Sequence, residues 1–504
     1  MSIITNLSEL TQDALAAFQK AARAPQEIEK FDGINKAITQ GTGLVWYDLQ
    51  APAKNLFPVL TPLRNMIPRV AGQGGTATNW KQVTAINTNS LRGFVPEGKR
   101  NGAVATTVAS KSASYKSLGL EDTVTFEAEL AAINFENIRA TTAQRLLWAT
   151  MIEEELAILG ANNSVALGTP TAPTVTVVDG GGTIADATYL VSVVALTLHG
   201  YLASSLSGGV VGQVSVTTID GDTFTYGGGS SDDSSTTSTG AISNGGDSAI
   251  RASTPVVAGA MAYAWYVGTS GNQKLEAITT INSVELTSLA GTGQNVTAIT
   301  ADNSQNTYAF DGILSQAWAS GSNAYVANLA TGTPGTGTVL ATDNAGGITV
   351  IDTMLKHFWD NYKLSPTTLY VNAQEAKNIT AKILGGSGVN YNFFTNNPGG
   401  GMGELTAGSR VGNYLNKFSM GTAPLIPIVV HPYLPPGTIL ACTERLPYPI
   451  TNIPNVMEMK LRRDYYQMEW PLRRRTYESG VYMDGVLAHY FPPSIGIITN
   501  IANG

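Results

Sequence analysis

The run Gly93-Phe-Val-Pro-Glu-Gly98-Lys99-Arg100 sets two glycines and a lysine at the spacing of a phosphate-binding loop. The eighth position should be Ser or Thr to hold magnesium, but it is Arg100, and Glu97 would repel phosphate. NGAVATTVAS, which follows, reads as a strand rather than the required helix, so the run is expected to be a turn at a hairpin tip. Four histidines, His199, His357, His431 and His489, show no zinc-binding spacing and read as structural residues. There is no G-x-S-x-G elbow for a hydrolase nucleophile. Cys442, in the apolar stretch TILACTE, reads as a buried small hydrophobe. Glu153, Glu154 and Glu155 are consecutive on an expected helix, where neighbours point about 100° apart. They should fan out toward solvent or another subunit rather than converge as an acid–base pair. Arg473-Arg474-Arg475 reads as a site of local ion pairs, with 473 and 475 on one side if the run is a strand. No catalytic, cofactor or metal site is assigned, and the chain reads as a non-enzyme.

The elements that carry these residues belong to a chain of 504 residues, enough for three or four structural units. Hydrophobic residues make up 43% and charged residues 13%, a balance that excludes wholesale disorder. A single cysteine excludes an intrachain disulfide, and a net charge of −7 excludes a generally basic nucleic-acid binder. No apolar run reaches the roughly 18 residues of a membrane helix; Leu425 to Ala441 is interrupted by Pro427, Pro432, Pro435 and Pro436. The first twenty residues lack a basic start and contain Glu9 and Asp13, so they do not read as a signal peptide, and an intracellular product is expected.

Charge and composition divide the chain. Residues 169–300 hold nine acidic side chains against Arg251 and Lys274, which accounts for the whole net charge of −7. This segment contains the low-complexity run GGGSSDDSSTTSTG at 227–240 and strand-like stretches at 188–197, 211–217, 262–268 and 278–289. Short strands separated by turn residues predict an inserted antiparallel sandwich. Within 76–122, Lys81, Arg92, Lys99, Arg100, Lys111 and Lys116 outweigh Glu97, Glu121 and Asp122, whereas 123–168 holds six glutamates against Arg139 and Arg145. A basic hairpin and an acidic helix can pair within or between subunits.

The flanks predict mixed α and β structure. Leu7, Leu10, Ala14, Leu15, Phe18 and Ala22 lie at helical spacing, with Asn6 and Glu9 as a capping pair. Residues 40–75 read as an extended arm, 76–122 as two polar strands around Pro96-Glu97-Gly98, and 135–160 as a long helix with Leu146, Ala149, Ile152, Leu156 and Leu159 on its apolar face. After the insert come a helix carrying Ile351, Leu355, Phe358 and Tyr362, a strand at 368–372 and a helix at 373–384. A Gly- and Asn-rich loop at 385–410, Pro-rich strands at 424–450 and an aromatic strand segment at 464–501 complete the chain.

Taken in order, these elements resemble the major capsid proteins of tailed bacteriophages, the Hong Kong 97-like fold. The resemblance covers most of 1–168 and 301–504. It rests on the hairpin at 84–126, the helix at 135–160, FDGIL at 310–314, GGITVIDTMLKHFWDNYKLSPTTLYVNAQEAKNI at 346–379 and the ending DYYQMEWPLRRRTYESGVYMDGVLAHYFPPSIGIITNI at 464–501. It implies an α+β fold: an N-terminal arm (1–75), an extended loop hairpin (76–126), a peripheral domain with a spine helix (127–168), a peripheral return (301–345), an axial domain (346–450) and C-terminal strands (451–504). The 169–300 segment departs from the family core and resembles an immunoglobulin-like module projecting from the outer surface.

The resemblance further implies a virion component assembled in the host cytoplasm, forming hexamers and pentamers of an icosahedral shell around double-stranded DNA. Itself, a scaffolding protein, a portal, packaged DNA without sequence specificity and a decoration protein are the implied partners; no membrane and no cofactor are implied. The family's extended loop lies over a neighbouring peripheral domain. Carried over, Arg92, Glu97, Lys99, Arg100, Lys111 and Lys116 would meet Glu153, Glu154 and Glu155 of the next subunit. An encapsulin-like nanocompartment shell and an immunoglobulin-like adhesin or tail protein are the alternatives.

Overall fold

The computed structural model describes residues 59–72, 74–86, 93–101, 107–133, 137–384, 410–419, 425–449 and 451–502. The expected N-terminal helix at 7–22, the arm up to residue 58, Arg92 and the loop at 385–409 lie outside the described residues. The described chain begins with a short helix, α1 (Pro62–Met66), and a strand, β1 (Arg69–Ala71). The extended-arm expectation fails over this stretch. Leu63 and Ile67 are buried in the main core, and β1 runs parallel to a C-terminal strand, with Arg69 opposite Met459.

Strands β2 (Ala77–Ala85) and β3 (Thr107–Ser114) pair antiparallel, Ala77 with Ser114, as the predicted hairpin requires. The hairpin is shorter than expected, because the chain turns at Tyr115 and β4 (Lys116–Thr125) leaves it for another sheet. Helix α2 (Phe126–Ala131) follows, its first turn capped by Thr125, whose hydroxyl accepts from the Ala128 amide at 3.2 Å. Then comes the 23-residue helix α3 (Ile138–Gly160), capped by the Asn137 side chain. Its buried face differs from the predicted stripe. Leu146 and Leu159 are buried as expected, but Thr150, Glu154 and Glu155 lie buried alongside them.

The insert is a sandwich of two antiparallel sheets. It contains β5 (Thr174–Asp179), β6 (Thr188–Leu196), α4 (Leu198–Ala203), β7 (Gln213–Thr217), β8 (Thr223–Gly227), β9 (Thr237–Ala241), β10 (Ser248–Ser253), β11 (Ala262–Gly268), β12 (Lys274–Thr279) and β13 (Ser283–Leu286). The sheets have the orders β13-β10-β5 and β12-β11-β6-β9, and β7-β8 stands as a separate hairpin. Alternation buries Ile250, Val284, Val193 and Trp265 between the sheets. Val194, Leu196, Ala264 and Tyr266, on the opposite face of the four-stranded sheet, form a second cluster. The strand expected over 278–289 is broken, because the chain turns at 280–282 and sends Asn282 inward. The low-complexity run is ordered as well. Ser231 and Ser234 lie beside β6, where their hydroxyls accept from the amides of Ala195 (2.8 Å) and Val193 (3.0 Å).

Past the insert come α5 (Ile313–Trp318), β14 (Tyr325–Asn328), α6 (Thr349–Tyr362), β15 (Thr368–Val371), α7 (Ala373–Leu384), β16 (Asn413–Leu415), β17 (Leu425–Val430), β18 (Ile439–Cys442), β19 (Met457–Glu469), β20 (Thr476–His489) and β21 (Gly496–Thr499). A six-stranded mixed sheet, β14-β21-β18-β15-β17-β16, carries Leu369, Leu440 and Ile497 into one core with Ile351, Leu355 and Phe358 of α6. Gly496 sits under α6, where a Cβ would strike Met354. A second sheet, β1-β19-β20-β4, backs onto α3.

Candidate functional site

The predicted site residues fall into two regions, the hairpin and α3. At the hairpin base, the Trp80 indole donates to the His489 carbonyl at 3.1 Å and the Val83 amide to the Tyr490 carbonyl at 2.8 Å. The base is therefore fixed to the chain's own body. The tip is a turn, as predicted: the Lys99 amide donates to Pro96 at 3.1 Å, and Gly98 has φ +75°. That left-handed conformation favours glycine. Phe94 at the tip is fully exposed, and Val95, Glu97, Lys99 and Arg100 are exposed beside it. Lys99, Arg100 and Lys111 form no ion pair among the described residues. The Lys116 ammonium donates to the Thr307 carbonyl at 2.5 Å.

The glutamates of α3 require a correction. Burial removes Glu154 and Glu155 from any solvent-facing or subunit-facing edge. The Glu155 carboxylate accepts from the amides of Leu63 (2.9 Å) and Arg64 (2.7 Å), which are free donors in the first turn of α1. A carboxylate 92 residues downstream thus caps a helix whose own N-cap, Thr61, makes no side-chain cap bond. His431 completes the site, its Nε2 lying 2.7 Å from Glu155 Oε1. The Tyr433 amide donates to His431 Nδ1 at 3.2 Å, which assigns the ring proton to Nε2 and makes it the donor to Glu155.

Glu154 is held by Arg64 (3.0 Å), Arg69 and the Tyr465 hydroxyl. Arg69 also pairs with Asp464 at 2.6 Å. Burial, with Glu154 close by, pushes the Tyr465 phenol above its usual range. Together the two carboxylates fasten α1, β1 and β19 to α3. Only Glu153 of the three remains half-exposed.

The acidic surface expected to face the basic hairpin shrinks accordingly. Glu127 pairs with Arg475 at 2.8 Å, and Glu136 lies outside the described residues. Arg473 pairs with Asp220 at 2.6 Å, so the basic run makes local ion pairs, although it forms a bend between β19 and β20 rather than a strand.

Sequence reasoning missed Arg64, Arg69, His431 and Tyr465, whose glutamate partners lie 85 to 311 residues away along the chain. It also missed an aromatic row on the outer face of the β19–β20 sheet. Tyr466 and Tyr482 stack at 6.0 Å and Trp470 meets Tyr482 edge-on at 6.2 Å, over the bare backbone of Gly119 and Gly480.

A cavity of about 410 Å³ opens between the hairpin and the body, lined in part by Trp80, Lys111, Lys116, Phe310 and Asp311. The Asp311 carboxylate already accepts the amides of Asn163 (2.8 Å) and Ser164 (3.0 Å). Among the described residues, no group of three or more His, Cys, Asp or Glu is placed to hold a metal ion. No described helix is long and apolar enough to cross a membrane. Cys442 is fully buried, and burial pushes its thiol well above the usual range.

No protein-family model matches the sequence, and no curated protein matches it. Solved structures do. The chain is similar to the capsid asymmetric unit of Cyanophage A-1(L), at 12% identity and a TM-score of 0.41, covering 92% of this chain and 98% of that one. It is similar to the capsid of the native GTA particle, at 8% identity and a TM-score of 0.41, covering 93% and 100%. It is also similar to the capsid of Cyanophage P-SCSP1u, at 9% identity and a TM-score of 0.37, covering 94% and 97%.

Proposed function

We propose that this chain is the major capsid protein of a tailed phage, a shell subunit assembling as hexamers and pentamers into an icosahedral head around double-stranded DNA. The observation that carries this reading is the hairpin. Its base is bonded to the body, while its tip presents fully exposed Phe94 beside Lys99 and Arg100, which form no ion pair among the described residues. A tip of this kind fits a different surface on a neighbouring copy, and such heterologous contacts generate closed rings or open arrays. The order of elements supports the same reading: hairpin, long helix on a four-stranded sheet, insert, then a mixed sheet with its helices.

The electrostatic partner of the tip changes from the sequence expectation. With Glu154 and Glu155 committed inside the chain and Glu127 paired with Arg475, the acidic groups left to a neighbour's hairpin are Glu121, Glu129 and Glu153. The insert, immunoglobulin-like in this reading, projects outward, and its acidity disfavours contact with packaged DNA. A scaffolding protein, a portal and a decoration protein are further partners of the chain as a whole. Substituting Lys99→Glu together with Arg100→Glu should lower assembly yield and change its salt dependence; an unchanged yield and salt profile would overturn the role of the tip.

A further inference from the structure

The β7–β8 hairpin of the insert is an appendage. Its two strands pair only with each other, Val214 opposite Tyr226 and Val216 opposite Phe224. An isolated two-stranded hairpin is marginal in water, so what lies beneath decides whether it stays closed. Tyr308 meets Phe224 edge-on at 5.5 Å and Tyr226 at 6.5 Å. At the far end, Asp220 pairs with Arg473 at 2.6 Å, an exposed pair that contributes little. At the root, the Gly229 amide donates to Asn303 at 2.9 Å from a backbone with φ +98°.

Beneath the hairpin is a cavity of about 130 Å³, lined in part by Asn162, His199, Ala203, Val214, Tyr226 and Asn306. His199, on α4, is half-buried there as a residue, but its Nε2 is shielded from solvent and has no hydrogen-bond partner among the described residues. The ring's other contact is the Leu156 carbonyl of α3, and Glu153 of the same helix is the nearby carboxylate. From the hairpin, Tyr226 faces the same site, its phenol pushed up by burial and by Glu153. The flanking carboxylates of Asp302 and Asp311 are taken up by backbone amides, and Asp232 and Asp233 lie farther along the chain from the hairpin.

We propose that the β7–β8 hairpin is an acid-released flap, held shut while His199 carries one proton and opened when it takes up a second. A second proton puts a charge on a ring whose Nε2 is shielded from solvent and unpartnered among the described residues, and opening exposes that charge to water. Burial holds the His199 imidazole below its ordinary range when the flap is closed, outweighing the favourable effect of Glu153. The closed form is therefore fully favoured above the ordinary imidazole pKa of about 6.5 and loses ground as pH falls below it, by up to about tenfold per pH unit. This inference does not depend on the assembly reading.

The test is hydrogen exchange on the full chain at pH 7.5 and pH 5, expressed as protection factors corrected for intrinsic rates. Protection over 197–203 and 213–229 should fall about tenfold or more at pH 5, while β6 and β11 stay protected. His199→Gln should abolish the difference, and Glu153→Gln, which removes the compensating carboxylate, should enlarge it. Equal protection at both pH values overturns the proposal. So does a pH response that survives His199→Gln or disappears in Glu153→Gln.

Discussion

His431 Nε2 lies 2.7 Å from Glu155 Oε1, with both side chains fully buried. Glu155 also accepts two amides from α1, so one carboxylate joins the long helix, the start of the described chain and the segment after β17. Removing a buried acceptor strands all its donors. Glu155→Ala should cost roughly 3–5 kcal/mol. Glu155→Gln, which keeps one acceptor oxygen, should cost about 1–3 kcal/mol. Urea unfolding of the two variants checks the order.

The glycine pair under the aromatic row gives a steric prediction. A Cβ on Gly480 would strike both Tyr482 and Trp470, and one on Gly119 would strike the Tyr482 ring. Gly480→Ala should destabilise by roughly 1–3 kcal/mol through displacement of both rings. Tryptophan fluorescence should report the shift at Trp470, and thermal unfolding the loss of stability.

Glu375 gives a pH dependence. It is fully buried near the start of α7; Oε1 accepts the Gly437 amide at 3.1 Å, and Oε2 has no partner among the described residues. Burial pushes the carboxyl up to about 7. The folded chain then holds a proton that the unfolded chain releases near pH 4.5, so this group makes stability fall as pH rises from about 4.5 to 7. Glu375→Gln should flatten that slope and stabilise the chain at pH 8 by at most ~3 kcal/mol. Unfolding curves at pH 5 and pH 8 measure it.

The insert is fastened to the body by more than its two chain connections. The Asn282 amide donates to Asn500 Oδ1 at 2.8 Å, and Asn500 Nδ2 donates back to Asn282 Oδ1 at 3.0 Å. Leu198 and Met261 of the insert lie in the main core. A double-mutant cycle on Asn282→Ala and Asn500→Ala should give a coupling of about 0.5–3 kcal/mol. Additive losses would mean that the two amides act independently.

Legibility in the sequence followed the range of the interactions. Helix α7 occupies 373–384, as its pattern predicts, and α6 buries Ile351, Leu355 and Phe358 at the spacing read from the sequence. The tip turn followed from Pro96 and Gly98. These features depend on neighbours within a few residues. The burial of Glu154 and Glu155 depends on Arg64, Arg69, Tyr465 and His431, which no local pattern connects. Serines 231 and 234 read as linker because their partners, the amides of β6, have no side-chain signature. Of the candidate contact residues, Lys99 and Arg100 are exposed, whereas Glu154 and Glu155 are buried in the interior.

We propose that copies of this chain build a shell. Negative-stain electron microscopy of the purified full chain, with light scattering on a sizing column, tests it most directly, both alone and with a candidate scaffolding protein. Five- and six-fold rings or closed shells are expected. Particles that stay monomeric in both preparations at every concentration would contradict the proposal.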